Sequence, residues 1–335
     1  MKVKREELLK ILAAVKPGLA KKELVEQATH FIFAGKNIIT YNDRICISHP
    51  FKTDFSCSVK AEDFYKLLMK MEADEVELVY DKDVLLIKSG KVKSGMAASK
   101  DTKVLDLVDL LELDKQKWLP IPEGFTEGIY LCMFSISKDV SQGFLSCLGV
   151  QGDMIMSSDD VRISSYKMKS KIKKNFLIPL TSVIELIKFK PIKYSVSDAW
   201  VYFKTEDDVC FSSRNVEGEF PDLQEYFKTE GLELKLPKEL RSAIDLTMIM
   251  AEGEVDLSKK ISVSIGPDGI ICRGEKETGW VEKEVEFKYK GKKITFFINP
   301  QFFGQVLSKS TVMTLGEGKA LFESDQFKHI MSLPV

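Results

Sequence analysis

Val59-Lys-Ala-Glu-Asp-Phe64-Tyr-Lys-Leu67-Leu68 returns in pattern as Ile178-Pro-Leu-Thr-Ser-Val183-Ile-Glu-Leu186-Ile187, and again as Ile298-Asn-Pro-Gln-Phe-Phe303-Gly-Gln-Val306-Leu307. In each copy an apolar residue that ends a strand is followed at +5, +8 and +9 by large apolar residues. At 3.6 residues per turn those positions share one face, so the pattern predicts a strand running into an amphipathic helix. The copies begin at residues 59, 178 and 298, about 120 residues apart. Solenoid units run about 20 to 50 residues, so a period this long marks a repeated domain.

The flanks repeat with the helix. Each copy is followed by a strand, a turn and a second strand: Val76–Tyr80 then Val84–Ile87, Ile192–Val196 then Trp200–Phe203, Val312–Leu315 then Ala320–Glu323. The turns at Asp81–Asp83, Ser197–Asp198 and Gly316–Gly318 use residues that tolerate tight-turn dihedrals. Ahead of each copy lies a unit of similar build, opening on a helix (Glu6–Val15, Pro122–Ile136, Pro237–Met250) and closing on a strand hairpin. Proline in the first turn suits the last two helices, where its missing N–H would be unpaired anyway. The closing strands contain Asp43–Ser48, Asp160–Ser164 and Asp268–Cys272. The expected fold is α+β, with three tandem domains at 1–117, 118–230 and 231–335, each of two helix-plus-antiparallel-strands halves.

With 335 residues, 44% hydrophobic and 30% charged, the chain reads as soluble and globular. No run approaches the roughly 20 apolar residues that span a bilayer, so no membrane partner is expected. The N-terminus has no apolar signal segment behind its charged start, which points to the cytoplasm. The six cysteines (46, 57, 132, 147, 210 and 272) include no CxxC pair and sit among apolar neighbours, so they read as reduced core thiols. Net charge is −1, which excludes a protein that grips nucleic acid over its whole surface. Basic residues nevertheless concentrate at Lys2–Lys22, at Lys66 and Lys70, along Lys167–Lys174, at Lys188–Lys193 and at Lys235–Arg241. Several of these lie on or beside the repeated helices.

No catalytic constellation emerges. His30, His49 and His329 have no partners at metal-ligand spacing and read as structural or surface histidines. Gly316-Glu-Gly-Lys319 lacks the full phosphate-loop pattern and lies between strands, so it reads as a hairpin turn. Asp159-Asp160 and Asp207-Asp208 fall at turns, where aspartate is common for local hydrogen-bonding reasons. No catalytic residue, metal or cofactor is expected.

The triple repeat resembles the bacterial-type sliding clamp, the beta subunit of DNA polymerase III, over nearly the whole chain. Four patches carry the resemblance: Ile178–Lys188 as the second helix of domain 2, Gly218-Glu-Phe-Pro-Asp222 as the family's Gly-x-Phe-Pro-Asp motif, Ser158–Ile163 where the family has Thr-Asp-Gly-His-Arg-Leu, and the apolar C-terminus His329–Val335. Asp160 and Val161 replace the usual Gly-His, and the tail lacks the family's terminal Arg-Leu. These departures suit a divergent or virus-encoded member.

The resemblance implies half of a ring: two chains, head to tail, enclosing duplex DNA without reading its sequence. It implies a DNA-facing set of Lys10, Lys21, Lys22, Lys66, Lys70, Lys138, Lys188, Lys238 and Arg241. It also implies a cleft for the linear motifs of a replicative polymerase and a clamp loader. That cleft would be built from Leu145, Ser158, Asp160, Val161, Arg162, Ile163, Pro221, Glu225, Tyr226, Met331, Ser332, Leu333, Pro334 and Val335, with Ser158 and Arg162 as polar anchors at its edge. Two rival readings are an adaptor of the same fold that never closes around DNA, and an enzyme with an unrecognised site between domains.

Overall fold

A computed structural model describes residues 1–100 and 103–334. Among them are seven α-helices: α1 (Arg5–Val15), α2 (Ala61–Lys70), α3 (Lys103–Asp109), α4 (Phe125–Cys132), α5 (Leu180–Leu186), α6 (Leu240–Thr247) and α7 (Pro300–Leu307). Six of them are the helices of the repeat. α2, α5 and α7 each follow directly on a strand (Ser56–Lys60, Phe176–Pro179 and Ile294–Ile298), as the repeated phrase requires. Their apolar stripes are buried at Phe64 and Leu68, at Val183 and Leu186, and at Phe303, Val306 and Leu307. Phe64 sits edge-on to Phe31 and Phe33, with ring centroids 6.4 and 5.9 Å away. Burying one such ring contributes about 1.5–3 kcal/mol.

The prolines behave differently from the expectation. Pro122 and Pro237 stand ahead of α4 and α6, their carbonyls accepting from the N–H groups of Phe125 (3.1 Å) and Leu240 (3.2 Å) in a lead-in turn. Only α7 has proline at its first position, with the Asn299 side chain accepting from Phe302 N (3.2 Å).

Contacts divide the chain into two compact units, 1–121 with 176–218 and 122–175 with 219–335, so that each takes part of segment 118–230. The reason is sheet continuity. In the first unit twelve strands run, by hydrogen-bonded neighbours, Lys2–Lys4, Glu75–Asp81, Val84–Ser89, Val92–Ser99, Ser56–Lys60, His30–Ala34, Asn37–Tyr41, Ile45–Pro50, Cys210–Arg214, Trp200–Lys204, Lys193–Val196 and Leu119–Pro120. The pairing of Ile45–Ser48 with Cys210–Ser213 carries the sheet from one repeat into the next. In the second unit Arg162–Tyr166 pairs with Phe327–Met331 in the same way. The seven strands of that eight-stranded sheet that lie in the second unit run Cys147–Gln151, Met154–Ser158, Arg162–Lys167, Phe327–Ser332, Lys319–Ser324, Val312–Gly316 and Leu232–Lys235. A separate four-stranded sheet runs Gly279–Val285, Gly269–Lys276, Ile261–Gly266 and Ile294–Ile298.

α3 is the helix that the repeat does not predict. Its Val104 and Val108, with Leu111 beyond it, are buried against Ile32, Ile39, Tyr41, Cys46, Trp200 and Tyr202. It therefore caps the place where strands of two repeats meet, with Tyr41 and Trp200 rings 6.1 Å apart. Its apolar spacing of four and three residues was legible, but lay within an acidic stretch. All six cysteines are buried free thiols. No described helix is long and apolar enough to cross a membrane.

Candidate functional site

The second unit carries a concave site of about 340 Å³, lined by Phe144, Leu145, Ser158, Asp160, Val161, Arg162, Ile163, Pro221, Leu223, Tyr226, Lys319, Ile330, Met331 and Ser332. Five separated pieces of sequence line it, and three supply most of the residues. One is the hairpin joining Met154–Ser158 to Arg162–Lys167, whose corner is Asp160 at φ 71°. Aspartate is among the few residues that adopt this left-handed conformation readily, so it can stand where the resembling family has glycine. The second piece is the edge of strand Phe327–Ser332, where Ser332 N donates to Val161 O at 2.9 Å. The third is the Gly218–Asp222 motif with the short helical turn Gln224–Phe227 behind it.

Gly149 fixes that third piece. A Cβ on it would lie 2.6 Å from Phe220, so only glycine lets Phe220 lie flat on the strand. Phe220 is buried, its carbonyl accepts from Gln151 Nε2 (2.9 Å), and its ring meets Phe144 at 6.0 Å. Beneath the site, Ile163, Phe227, Leu321 and Ile330 form a small core joined by Leu223. The walls are therefore apolar side chains on well-fixed backbone.

Of the cleft residues expected from sequence, Leu145, Ser158, Asp160, Val161, Arg162, Ile163, Pro221, Tyr226, Met331 and Ser332 come together here. Glu225 does not line the site; it is exposed and pairs with Lys228 at 2.6 Å. Leu333 instead continues the hairpin, its N–H donating to Gly318 O (2.9 Å), and Pro334 is half-buried beyond it. Val335 lies outside the described residues. Phe144, Leu223, Lys319 and Ile330 complete the lining and were missed. Phe144 and Ile330 adjoin the expected Leu145 and Met331 in apolar pairs, which is a usable signal. Lys319 enters through strand pairing alone.

The polar anchors need correcting. Arg162 is 5% exposed and spends its guanidinium inside the protein. Nε donates to Asp159 Oδ2 (2.7 Å), Nη1 to Gln305 Oε1 (2.6 Å) and Nη2 to Phe134 O (2.5 Å). Its Cζ lies 3.7 Å from the Phe302 ring centroid. Burial raises the Asp159 carboxyl above its ordinary pKa and lowers that of Arg162, so desolvation outweighs their mutual attraction. Ser158 Oγ is turned inward too, donating to Arg162 O at 3.0 Å. What the site offers a ligand is an apolar trough, with the Asp160 carboxylate (accepting from Gln142 Nε2, 2.9 Å) and Lys319 at its margin.

Behind Arg162 lies His329, fully buried, with Nδ1 2.8 Å from Ser164 Oγ. Ser164 Oγ is in turn 2.7 Å from Ser135 Oγ. Among the described residues His329 Nε2 has no hydrogen-bond partner, so the ring is only half satisfied. Burial, with the positive charges of Arg162 and Lys309 nearby, holds its pKa well below the usual histidine value.

The nine basic residues assigned to DNA are all exposed: Lys10, Lys21, Lys22, Lys66, Lys70 and Lys188 in the first unit, Lys138, Lys238 and Arg241 in the second. Lys66 pairs with Glu62 (2.6 Å), Lys188 with Glu185 (2.8 Å) and Arg241 with Asp245 (3.0 Å), each within one helical turn. Exposed pairs of this kind contribute little, so a polyanion can displace them. Among the described residues no cluster of three His, Cys, Asp or Glu could hold a metal.

No protein-family model matches the sequence, and no curated protein matches it either. Solved structures do. A DNA polymerase sliding clamp from Bacillus subtilis is similar over 100% of this chain and 98% of its own, with TM-score 0.84 at 16% identity. A DNA polymerase III subunit beta from Pseudomonas aeruginosa, solved with griselimycin, gives TM-score 0.83 at 15% identity, covering 100% and 99%. The Helicobacter pylori beta clamp bound to a DNA ligase peptide gives 0.81 at 15%, covering 100% and 99%. Over its described residues, this chain has the fold of the bacterial DNA polymerase III beta sliding clamps.

Proposed function

We propose that this chain is a DNA polymerase processivity factor: a non-enzymatic ring that encircles duplex DNA and tethers polymerase, loader and repair proteins by short peptide motifs. The observation that carries the reading is the coincidence of a full-length clamp fold with a formed apolar cleft at the residues where the family resemblance places one. A clamp of the same fold is bound to a DNA ligase peptide, and the trough here offers an apolar seat for a peptide. Burying one or two large side chains in it would contribute about 1.5–3 kcal/mol each, suited to micromolar, exchangeable binding. Val161→Asp sets an unpaired charge in the apolar wall and should weaken binding of a fluorescent clamp-motif peptide at least tenfold. Unchanged affinity would mean that partners dock elsewhere.

The three-domain partition and head-to-tail pairing complete the proposal. A three-domain arc has unlike ends, and each can be covered only by the partner's other end. Leu246, Ile249, Val255 and Leu257 are exposed apolar side chains in residues 231–335, of the kind that such a joint covers. Light scattering at micromolar concentration should give twice the 38.0 kDa of one chain; a monomer would favour the adaptor reading. DNA retention rests on phosphate contacts that carry no sequence information. Lys21→Glu, Lys22→Glu and Lys138→Glu together should lower retention on nicked circular duplex and reduce the salt slope by about one unit per lost contact. An unchanged slope would remove these lysines from the DNA path.

A further inference from the structure

Two lysine runs stand outside the repeated helices. Lys167-Met-Lys-Ser-Lys-Ile-Lys-Lys-Asn175 leads into the strand before α5, and Glu286-Phe-Lys-Tyr-Lys-Gly-Lys-Lys293 into the strand before α7. They occupy the same position in successive repeats. Nine of these seventeen residues are lysine, against 49 lysines and arginines in all 335. The matching stretch of the first repeat, Phe51–Phe55, has only Lys52, followed by Asp54. A solvated coil would have no reason to repeat this composition in two places.

The first run is a fixed scaffold for its charges. Met168 and Ile172 are 3% and 7% exposed and act as pegs. The backbone is tied down beside them: Met168 N donates to Asp153 O (2.7 Å), Lys169 N to Glu123 O (3.2 Å) and Ile172 N to Gly152 O (2.8 Å). With the apolar residues inward, Lys167, Lys169, Lys171, Lys173 and Lys174 are all exposed. The second run alternates likewise. Phe287, Tyr289 and Gly291 are half-buried, while Lys288, Lys290, Lys292 and Lys293 are exposed. Tyr289 closes over Gly291, where a Cβ would meet its hydroxyl at 2.2 Å.

The geometry points to these two connections as a second polyanion-binding surface of the chain, whose occupant is the phosphate backbone of duplex DNA. The inference rests on the clamp reading and adds to it a contact set that is not on the repeated helices. Lysine supplies compact, flexible point charges without the fork that favours defined bidentate pairing, which suits sequence-independent phosphate contact. An acidic protein segment fits less well. The first run exposes no aromatic, arginine or large apolar side chain, and protein interfaces draw most of their affinity from such anchors.

The test uses the full-length chain with Lys167→Ala, Lys171→Ala, Lys290→Ala and Lys292→Ala combined. Binding to a short linear duplex is followed by fluorescence anisotropy across a salt titration, beside the Lys21/Lys22/Lys138→Glu variant. The four-lysine variant should lose about three to four units of salt slope, with an unaltered thermal melt. An unchanged slope in the four-lysine variant, with a reduced one in the Lys21 set, overturns this inference and leaves the clamp reading standing. Unchanged slopes in both overturn the two together. Poly-glutamate that competes as well as duplex, charge for charge, would assign the surface to an acidic protein and overturn the DNA assignment.

Discussion

Replacing Asp159 with alanine is expected to destabilise the second unit by about 3–5 kcal/mol, the cost of leaving a buried charge without its partner. The Asp159 and Arg162 side chains are 9% and 6% exposed, and their 2.7 Å contact lies within a shell of aromatic rings. Alanine would leave the guanidinium with only the neutral oxygens of Gln305 and Phe134. Arg162 also ties strand Arg162–Lys167 to α7 and to the turn Met133–Ser135, so its release should loosen the floor of the cleft as well. A urea denaturation series measures the loss. In the double variant Asp159→Ala, Arg162→Met the charge disappears altogether, and most of the loss should be recovered. A single-variant cost below about 1 kcal/mol would show the pair to be solvated like a surface salt bridge.

Acid should destabilise the protein through His329. Its folded-state pKa is depressed, so the unfolded chain, with a histidine pKa near 6.5, takes up the proton first. The His329 contribution is therefore complete above about pH 6.5 and is lost as pH falls through that value toward the folded pKa. Between those limits the loss is about 1.4 kcal/mol per pH unit. The groups facing the ring are Ser164, Ser135, Phe134, Phe322 and Phe327, with Arg162 and Lys309 as the charges. None of these can accept a proton from an imidazolium as a carboxylate would. Asp159, its pKa raised by burial, contributes with the opposite sign, and His30 is also depressed. The decisive measurement is therefore the difference between the native and His329→Gln chains over pH 7 to 5. Parallel curves would mean that His329 is solvated in solution.

The sequence alone determined the repeat, and with it most of the fold. Phe64, Val183 and Phe303 announce their helices because 3.6-residue periodicity is a local property, readable without knowing what the helix faces. Much of the cleft lining was legible too, since Ser158–Ile163 and Gly218–Asp222 are contiguous runs that can be read without knowing the fold. Tertiary structure decided the rest. Strands Ile45–Pro50 and Cys210–Arg214, far apart in sequence, share one register, so compact units cut across the repeat. α3 exists to cover that junction, and an acidic stretch gives no hint of a junction to cover. Lys319 reaches the cleft only through the pairing of its strand with Phe327–Ser332. Arg162 shows the limit most plainly. Its position beside the cleft follows from sequence, but the direction of its side chain is set by Asp159, Gln305 and the ring of Phe302. Sequence periodicity fixes which face a residue lies on, whereas the partners of a buried charge belong to chain segments that only folding brings together.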